Sequence, residues 1–373
     1  MKYRVGFFWL ALLAIVVFAG ALFVSCTTGD DDDSSDPEGG ASNDQDLKYG
    51  WVVGEYTADS ATVLSTINGG ATWELNAKDL PKVNFNDVIA VDDQIVWIVG
   101  NQDDEKKYGT IYHTTNHGGA WVREGNKDDL AGINMHGVNA VDATTAWAVG
   151  DHGMILKTTN SGASWTPQLD EDIPDTFLYK VDVISDQVAW VIGDLDSTGN
   201  VTVLRTTNGG DDWERVEFGP NQAILLIDVS VIDKETLWMV GTHGKAYQTS
   251  SGGVNWFAYS VIVDLMHVNG VCALDADTAY VATDQGLVYS TSNRGENWSD
   301  ISPTIDDVPG VKGYELLGIT TGDGQSIWIS AMASGAPNGM IIHTANGGNK
   351  WELQDVPVQG VGFYRISFVG TNK

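Results

Sequence analysis

The hydrophobic pattern along the chain is short and repetitive. Runs of four to six apolar residues alternate with polar turns. A recurrent segment reads V-x-A-V-D-x-x-x-x-W-x-V-G, clearest at Val88 to Gly100 and Val138 to Gly150. Variants run from Val181 to Gly193, Val229 to Gly241, Val271 to Thr283 and Ile319 to Ala331. Two β-rich runs around a polar turn predict a hairpin. A third run follows each hairpin, for example Met154 to Thr158. Each unit is therefore expected to be a four-stranded meander.

A second motif, T-x-N-x-G-x-x-W, closes each unit. It begins at Thr66, Thr114, Thr158, Thr206, Thr249, Thr291 and Thr344, with Ser251 replacing Asn in the fifth copy. Its Trp residues stand at 73, 121, 165, 213, 256, 298 and 351. The intervals of 48, 44, 48, 43, 42 and 53 residues suit one propeller blade per repeat. Asn hydrogen-bonds locally, Gly takes positive φ, and Thr bonds the turn backbone. The Trp is a large apolar wedge for packing between sheets.

The ends complete the count. Trp51 to Gly54 matches a second strand, and Tyr364 to Val369 matches a first. The expected fold is all-β: a seven-bladed propeller of four-stranded antiparallel blades over 47–373. Its ring closes where the C-terminal strand pairs with the N-terminal strands, which removes exposed sheet edges.

The N-terminus departs from this pattern. Lys2 and Arg4 precede an apolar run from Val5 to Val24, ending in Leu22-Phe23-Val24-Ser25-Cys26. That arrangement reads as an export signal. It resembles a bacterial lipoprotein box, with Phe23 in the usual aliphatic position. Residues 1–25 are then a lipoprotein-type signal peptide and Cys26 the lipid attachment site. An uncleaved anchor and ordinary cleavage are the alternatives, the run being long enough to span a bilayer. Residues 26–46 read as an acidic, disordered tether that holds the domain off the membrane. The expected location is the bacterial cell envelope, periplasmic or cell-surface. The other cysteine, Cys272, lies in an apolar strand pattern and reads as buried and inert.

Charge narrows the partners. The chain carries −30 formally, and 47–373 alone holds 42 acids against 18 bases. Nucleic acid is excluded, because phosphate binding needs a basic footprint. The expected partner is an envelope protein, with a glycan as the alternative ligand, and the domain is expected to be monomeric.

The seven turns resemble Asp-boxes, the motif of bacterial neuraminidase repeats, with Asn or Ser for Asp. Together with the W-x-V-G strands, they resemble the seven-bladed propeller family of photosystem II stability and assembly factors across nearly all of 47–373. The resemblance implies the fold and a binding or scaffold role. Photosynthetic members engage a photosystem subunit through basic surface residues, whereas this chain has six Arg and is strongly acidic.

No enzyme signature emerges, and no cofactor or metal is expected. Sialidases need three convergent Arg. Here Arg123 and Arg215 follow turn Trp residues, Arg205 lies on a third strand and Arg294 in a turn, which leaves only Arg365 near the axis. A glycoside hydrolase with two carboxylates is the enzymatic alternative. Its candidates, Asp79, Asp128, Asp129, Asp170, Asp172, Asp306 and Asp307, read as solvated loop acids. His113 and His343 occupy a polar strand slot, and His152 and His243 a turn. Asp194-x-Asp196-x-Thr198-Gly199 faintly resembles a calcium loop, but Arg205 holds the twelfth position where an EF-hand needs Glu.

One set of positions suggests a binding site. Just before the first apolar run of each inner strand stand Asn86, His136, Tyr179, Ile227, Asn269, Leu317 and Tyr364. They are expected to ring the mouth of the central channel. Asn86, His136, Tyr179, Asn269 and Tyr364 are the candidate ligand-binding residues.

Overall fold

A computed structural model describes residues 47–219, 224–261, 266–333 and 338–370. The expected signal peptide, Cys26 and the whole of the tether lie outside the described residues. Among the described residues no helix is long and apolar enough to cross a membrane.

Seven four-stranded antiparallel sheets form the ring. The inner strands are Phe363–Gly370 in blade 1, Phe85–Ala90 in blade 2, Met135–Ala140 in blade 3 and Leu178–Val183 in blade 4. Leu226–Val231, Val268–Ala273 and Tyr314–Thr321 follow in blades 5 to 7. Closure occurs where expected. Phe363–Gly370 pairs with Leu47–Gly54, bringing Ile366 opposite Val52 and Phe368 opposite Gly50. The first and last strands of the chain thus share one blade, and the ring closes between them.

The repeated turn is held in one way throughout. In blade 1, Thr66 Oγ1 donates to Asn68 Oδ1 and accepts from the Gly70 N–H, each at 2.9 Å. The Thr72 N–H donates to Asn68 Oδ1 at 3.0 Å. The same bonds recur around Thr158, Thr206 and Thr344. In blade 5, Ser251 takes the Asn role and its Oγ accepts the Asn255 N–H at 2.9 Å. Each turn therefore satisfies its own backbone without help from a ligand.

The turn Trp joins neighbouring blades. It meets the strand-two Trp of the preceding blade edge to face, as in Trp51–Trp121, Trp97–Trp165, Trp147–Trp213 and Trp238–Trp298. Trp328 of blade 7 meets Trp73 of blade 1 at 6.2 Å, so the series crosses the chain ends. In blade 6 the strand-two residue is Tyr280, which packs in one cluster with Trp351. The turn glycine is needed for this contact. Gly70 has φ +77, and a Cβ there would lie 2.2 Å from Trp328.

The polar slot before the motif Thr also has a packing role. Its residues lie opposite the strand-two Trp in register, for example His113 opposite Trp97 and Lys157 opposite Trp147. His113 and His343 stack on Trp97 and Trp328 at 4.4 and 3.9 Å. The Lys157 ammonium sits 4.5 Å from the centre of the Trp147 ring. Each such Trp is thus covered by a cation, a His or the next blade's indole. His152 and His243 take φ 58 and 64, which supports their reading as turn residues.

Trp147→Ala should remove both contacts at once, since this side chain is fully buried. A loss of about 3–5 kcal/mol is expected in urea unfolding of the full domain.

Candidate functional site

The mouth of the channel is built by a bulge in each blade and, in blades 1 to 5, by a glycine that ends strand two. The last residue of the W-x-V-G strand approaches the loop that enters the inner strand. A Cβ on Gly100 would lie 2.3 Å from Asn84 O, and one on Gly150 would lie 2.3 Å from Asn134 O. The next N–H donates to that same carbonyl. Asn101 N to Asn84 O and Asp151 N to Asn134 O are both 3.0 Å, and Asp194 N to Phe177 O is 2.8 Å. The contact fixes the residue after the glycine above the start of the inner strand.

The inner strand answers with a β-bulge. Register shifts separate Phe85 from Asp87, Met135 from Gly137, Leu178 from Lys180 and Val268 from Gly270. The residue skipped in each case is one of the expected mouth residues: Asn86, His136, Tyr179 or Asn269. Tyr364 is skipped in the same way between Phe363 and Arg365. Bulges re-aim side chains.

The five candidates therefore gather at one end of the channel, but each is at most 8% exposed. They are tied to neighbours. Asn86 Nδ2 donates to Asn101 Oδ1 and to Met135 O of the next blade, both at 2.8 Å. Asn269 Nδ2 likewise donates to Leu316 O at 3.1 Å. His136 Nε2 lies 2.6 Å from Asp151 Oδ1, and its ring meets Phe177 and Tyr179 edge-on. Tyr179 bonds Asp194, and Tyr364 bonds Glu55 and accepts from Asn84 Nδ2. Ile227 and Leu317 complete the ring as apolar members.

Sequence reasoning missed the outer row: Glu55, Asn101, Asp151, Asp194 and Asp284. Its signal was the residue immediately after the strand-two glycine in blades 1 to 4, or after Thr283 in blade 6. This row makes the mouth acidic. Burial opposes ionisation of Asp151, but bonds from His136 and Asn134 outweigh it and hold its carboxyl below the usual value. Burial and the neighbouring Asp194 push the Tyr179 phenol up, and burial with Glu55 does the same to Tyr364. Both phenols stay neutral. Phe177 and Tyr56, on the same face, are 44% and 50% exposed. The surface a ligand meets is thus carboxylate and aromatic, above a polar floor.

Other candidate chemistry resolves locally. Asp196 Oδ1 accepts from the Thr198 N–H, the Thr198 hydroxyl and the Asn200 N–H, while Arg215 lies 2.5 Å from its Oδ2. Arg215 occupies the carboxylate that a calcium loop would present. Among the described residues no group of three or more His, Cys, Asp and Glu is placed to hold a metal ion. Arg123, Arg205 and Arg294 pair with Asp103, Glu214 and Asp277 in their own surroundings, so they do not converge. Asp170 accepts the Asp172 and Trp213 N–H groups, and Asp307 accepts Thr304. These bonds hold both carboxyls below their ordinary value, which suits turn-capping and not proton donation.

Sequence and structure comparisons agree with this architecture. The family model for the photosynthesis system II assembly factor YCF48 matches residues 43–177, 138–264 and 173–311. The protein is a seven-bladed β-propeller with repeated, self-satisfied turns and an acidic mouth. It belongs to the photosynthesis system II assembly factor YCF48 family. No curated protein matches the chain. Among solved structures it is similar to YCF48 bound to D1 peptide, with 20% identity, TM-score 0.58 and coverage of 83% of this chain and 89% of that one. It is also similar to YCF48 from Cyanidioschyzon merolae, with 19% identity, TM-score 0.59 and coverage of 82% and 93%. The GH74 xyloglucanase from Xanthomonas campestris shares 13% identity over 83% of this chain and 60% of that one, at TM-score 0.56.

Asp151→Ala should strand His136 and Asn134, costing about 1–3 kcal/mol in urea unfolding. Asp151→Asn, which keeps one acceptor oxygen, should cost less.

Proposed function

We propose that this protein is a non-enzymatic, protein-binding scaffold of the bacterial cell envelope, tethered through a lipid on Cys26. Family membership carries the reading, together with the similar propeller solved as YCF48 bound to D1 peptide. The mouth face is the proposed docking surface, with the residues on its bulges as the floor. A partner here differs in chemistry from one that meets basic residues. Residues 47–373 hold 42 acids and 18 bases, so a cationic segment complements them. Carboxylates at Glu55 and Asp194 suit Lys or Arg side chains, and Tyr56 and Phe177 supply apolar contact. Rigid blades carrying loops of varied sequence suit recognition.

The test is crosslinking and capture from the native envelope with a C-terminal tag. One defined protein should be recovered. Its yield should fall with Tyr56→Ala and Phe177→Ala, which change exposed side chains, and with salt raised from about 0.05 to about 0.5 M. Cys26→Ala should release the protein from the membrane fraction. Capture that is indifferent to both mouth variants and to salt would contradict the docking surface.

A glycoside hydrolase is the second reading, favoured by the GH74 structural neighbour. Asp170 and Asp307 serve turns, so incubation with xyloglucan should release no new reducing ends. Release would overturn the non-enzymatic reading.

A further inference from the structure

Below the mouth, the next residue of the inner strand points into a buried axial cluster. Asp87, Lys180, Asp228 and Arg365 come from blades 2, 4, 5 and 1, and all are fully buried. Asp182, two residues beyond Lys180, is 3% exposed. The equivalent positions in blades 3, 6 and 7 are Gly137, Gly270 and Gly318. A Cβ on Gly137 would lie 2.8 Å from Tyr179 O and one on Gly318 would lie 2.3 Å from Ser330 Oγ, so these positions add no side chain to the cluster, and charges from blades 2 and 4 meet across it. Lys180 Nζ donates to Asp87 Oδ2 at 3.1 Å, and Arg365 Nε lies 3.2 Å from Asp87 Oδ1.

The carboxylates also bind blade to blade. Asp87 accepts Val88 N–H on its own strand and Val138 N–H on the next. Asp182 accepts Val183 and Val231 N–H, and Asp228 accepts Val229 and Val271 N–H, in the same manner. Each carboxyl thus occupies the otherwise unpaired edge of an inner strand.

We propose that this axis is a proton-dependent lock, in which three carboxyls share two cations and one proton at neutral pH. An unmatched charge in a buried site is costly, so a buried acid in excess of its cations keeps its proton. Asp87 touches both cations, so the third carboxyl charge falls on the other two acids. The proton is held by the coupled pair Asp182 and Asp228. The charged groups facing that pair are Lys180 from blade 4, Arg365 from blade 1 and Asp87 from blade 2. Blade 3 contributes the neutral Asn139, whose Nδ2 donates to Asp182 Oδ1 at 2.6 Å. Blades 5 and 6 add the N–H groups named above. In support, burial raises both carboxyls to about 7. A folded-state value above the unfolded one of about 3.9 stabilises the ring at low pH. That contribution is lost as pH rises through about 7, when the axis gains an unmatched negative charge.

The full chain, Asp182→Asn and Asp228→Asn should be melted at pH steps from about 5 to about 9. At least one variant should match the wild type near pH 5 and exceed it by a few degrees near pH 8.5. Parallel profiles for the wild type and both variants would overturn the lock. Infrared spectroscopy of the wild type keeps the test independent of variant folding. A protonated-carboxyl carbonyl band from a buried group should be present near pH 6 and lost near pH 9. A difference spectrum without it would also overturn the proposal.

Discussion

An inner strand of a propeller has one edge with no strand beside it, and everything else in this molecule follows from how that edge is satisfied. Buried backbone N–H and C=O groups must find partners. Here side chains from the adjoining blade supply many of them. Asp87, Asp182 and Asp228 accept N–H groups across the blade boundary, Ser367 Oγ accepts the Ala90 N–H, and Asn86 and Asn269 donate to carbonyls. The requirement places acids in the core of the ring. Acids in a core in turn require Lys180 and Arg365 beside them.

The same constraint shapes the mouth. Where the inner strand bulges, one residue leaves the ladder and turns toward the channel end. The strand-two glycine brings a second residue over it. Binding groups are thereby set on a rigid frame at the end of the ring, and the turn motifs on the other side of each hairpin remain structural. Tryptophan packing does the complementary work farther out. It holds blade against blade, with Trp121, Trp238 and Trp351 also donating to backbone carbonyls of the adjoining blade, and the Trp73–Trp328 contact carries the series across the chain ends.

Much of this was legible in the residues. Seven turn Trp, the W-x-V-G strands and the match of Tyr364 to Val369 with a first strand were enough for blade number and closure. The mouth positions were found because they stand at a fixed offset from each apolar run. Their burial was not legible, because it depends on Asn101, Asp151 and Asp194, which lie fifteen residues away and across a hairpin. The axial cluster was less legible still. Lys180 meets Asp87 across 93 residues of sequence and two blade boundaries. In the sequence each is one of two polar residues in a short apolar strand, Asp87 beside Asn86 and Lys180 two residues before Asp182. Arg365 alone was placed near the axis, since the closing strand had already been identified. Pairings set by ring geometry have no local period for a sequence to display.

Hydrogen–deuterium exchange of the full chain, with and without its captured partner, tests the assignment of the mouth as the docking face most directly. The account predicts slowed exchange in the segments that end strand two and enter the inner strands, around Glu55–Tyr56, Asn84, Asn134 and Phe177. The turn motifs from Thr66 to Trp351 should exchange unchanged. Protection confined to those turns or to the outer strands, with the mouth segments unaffected, would contradict it.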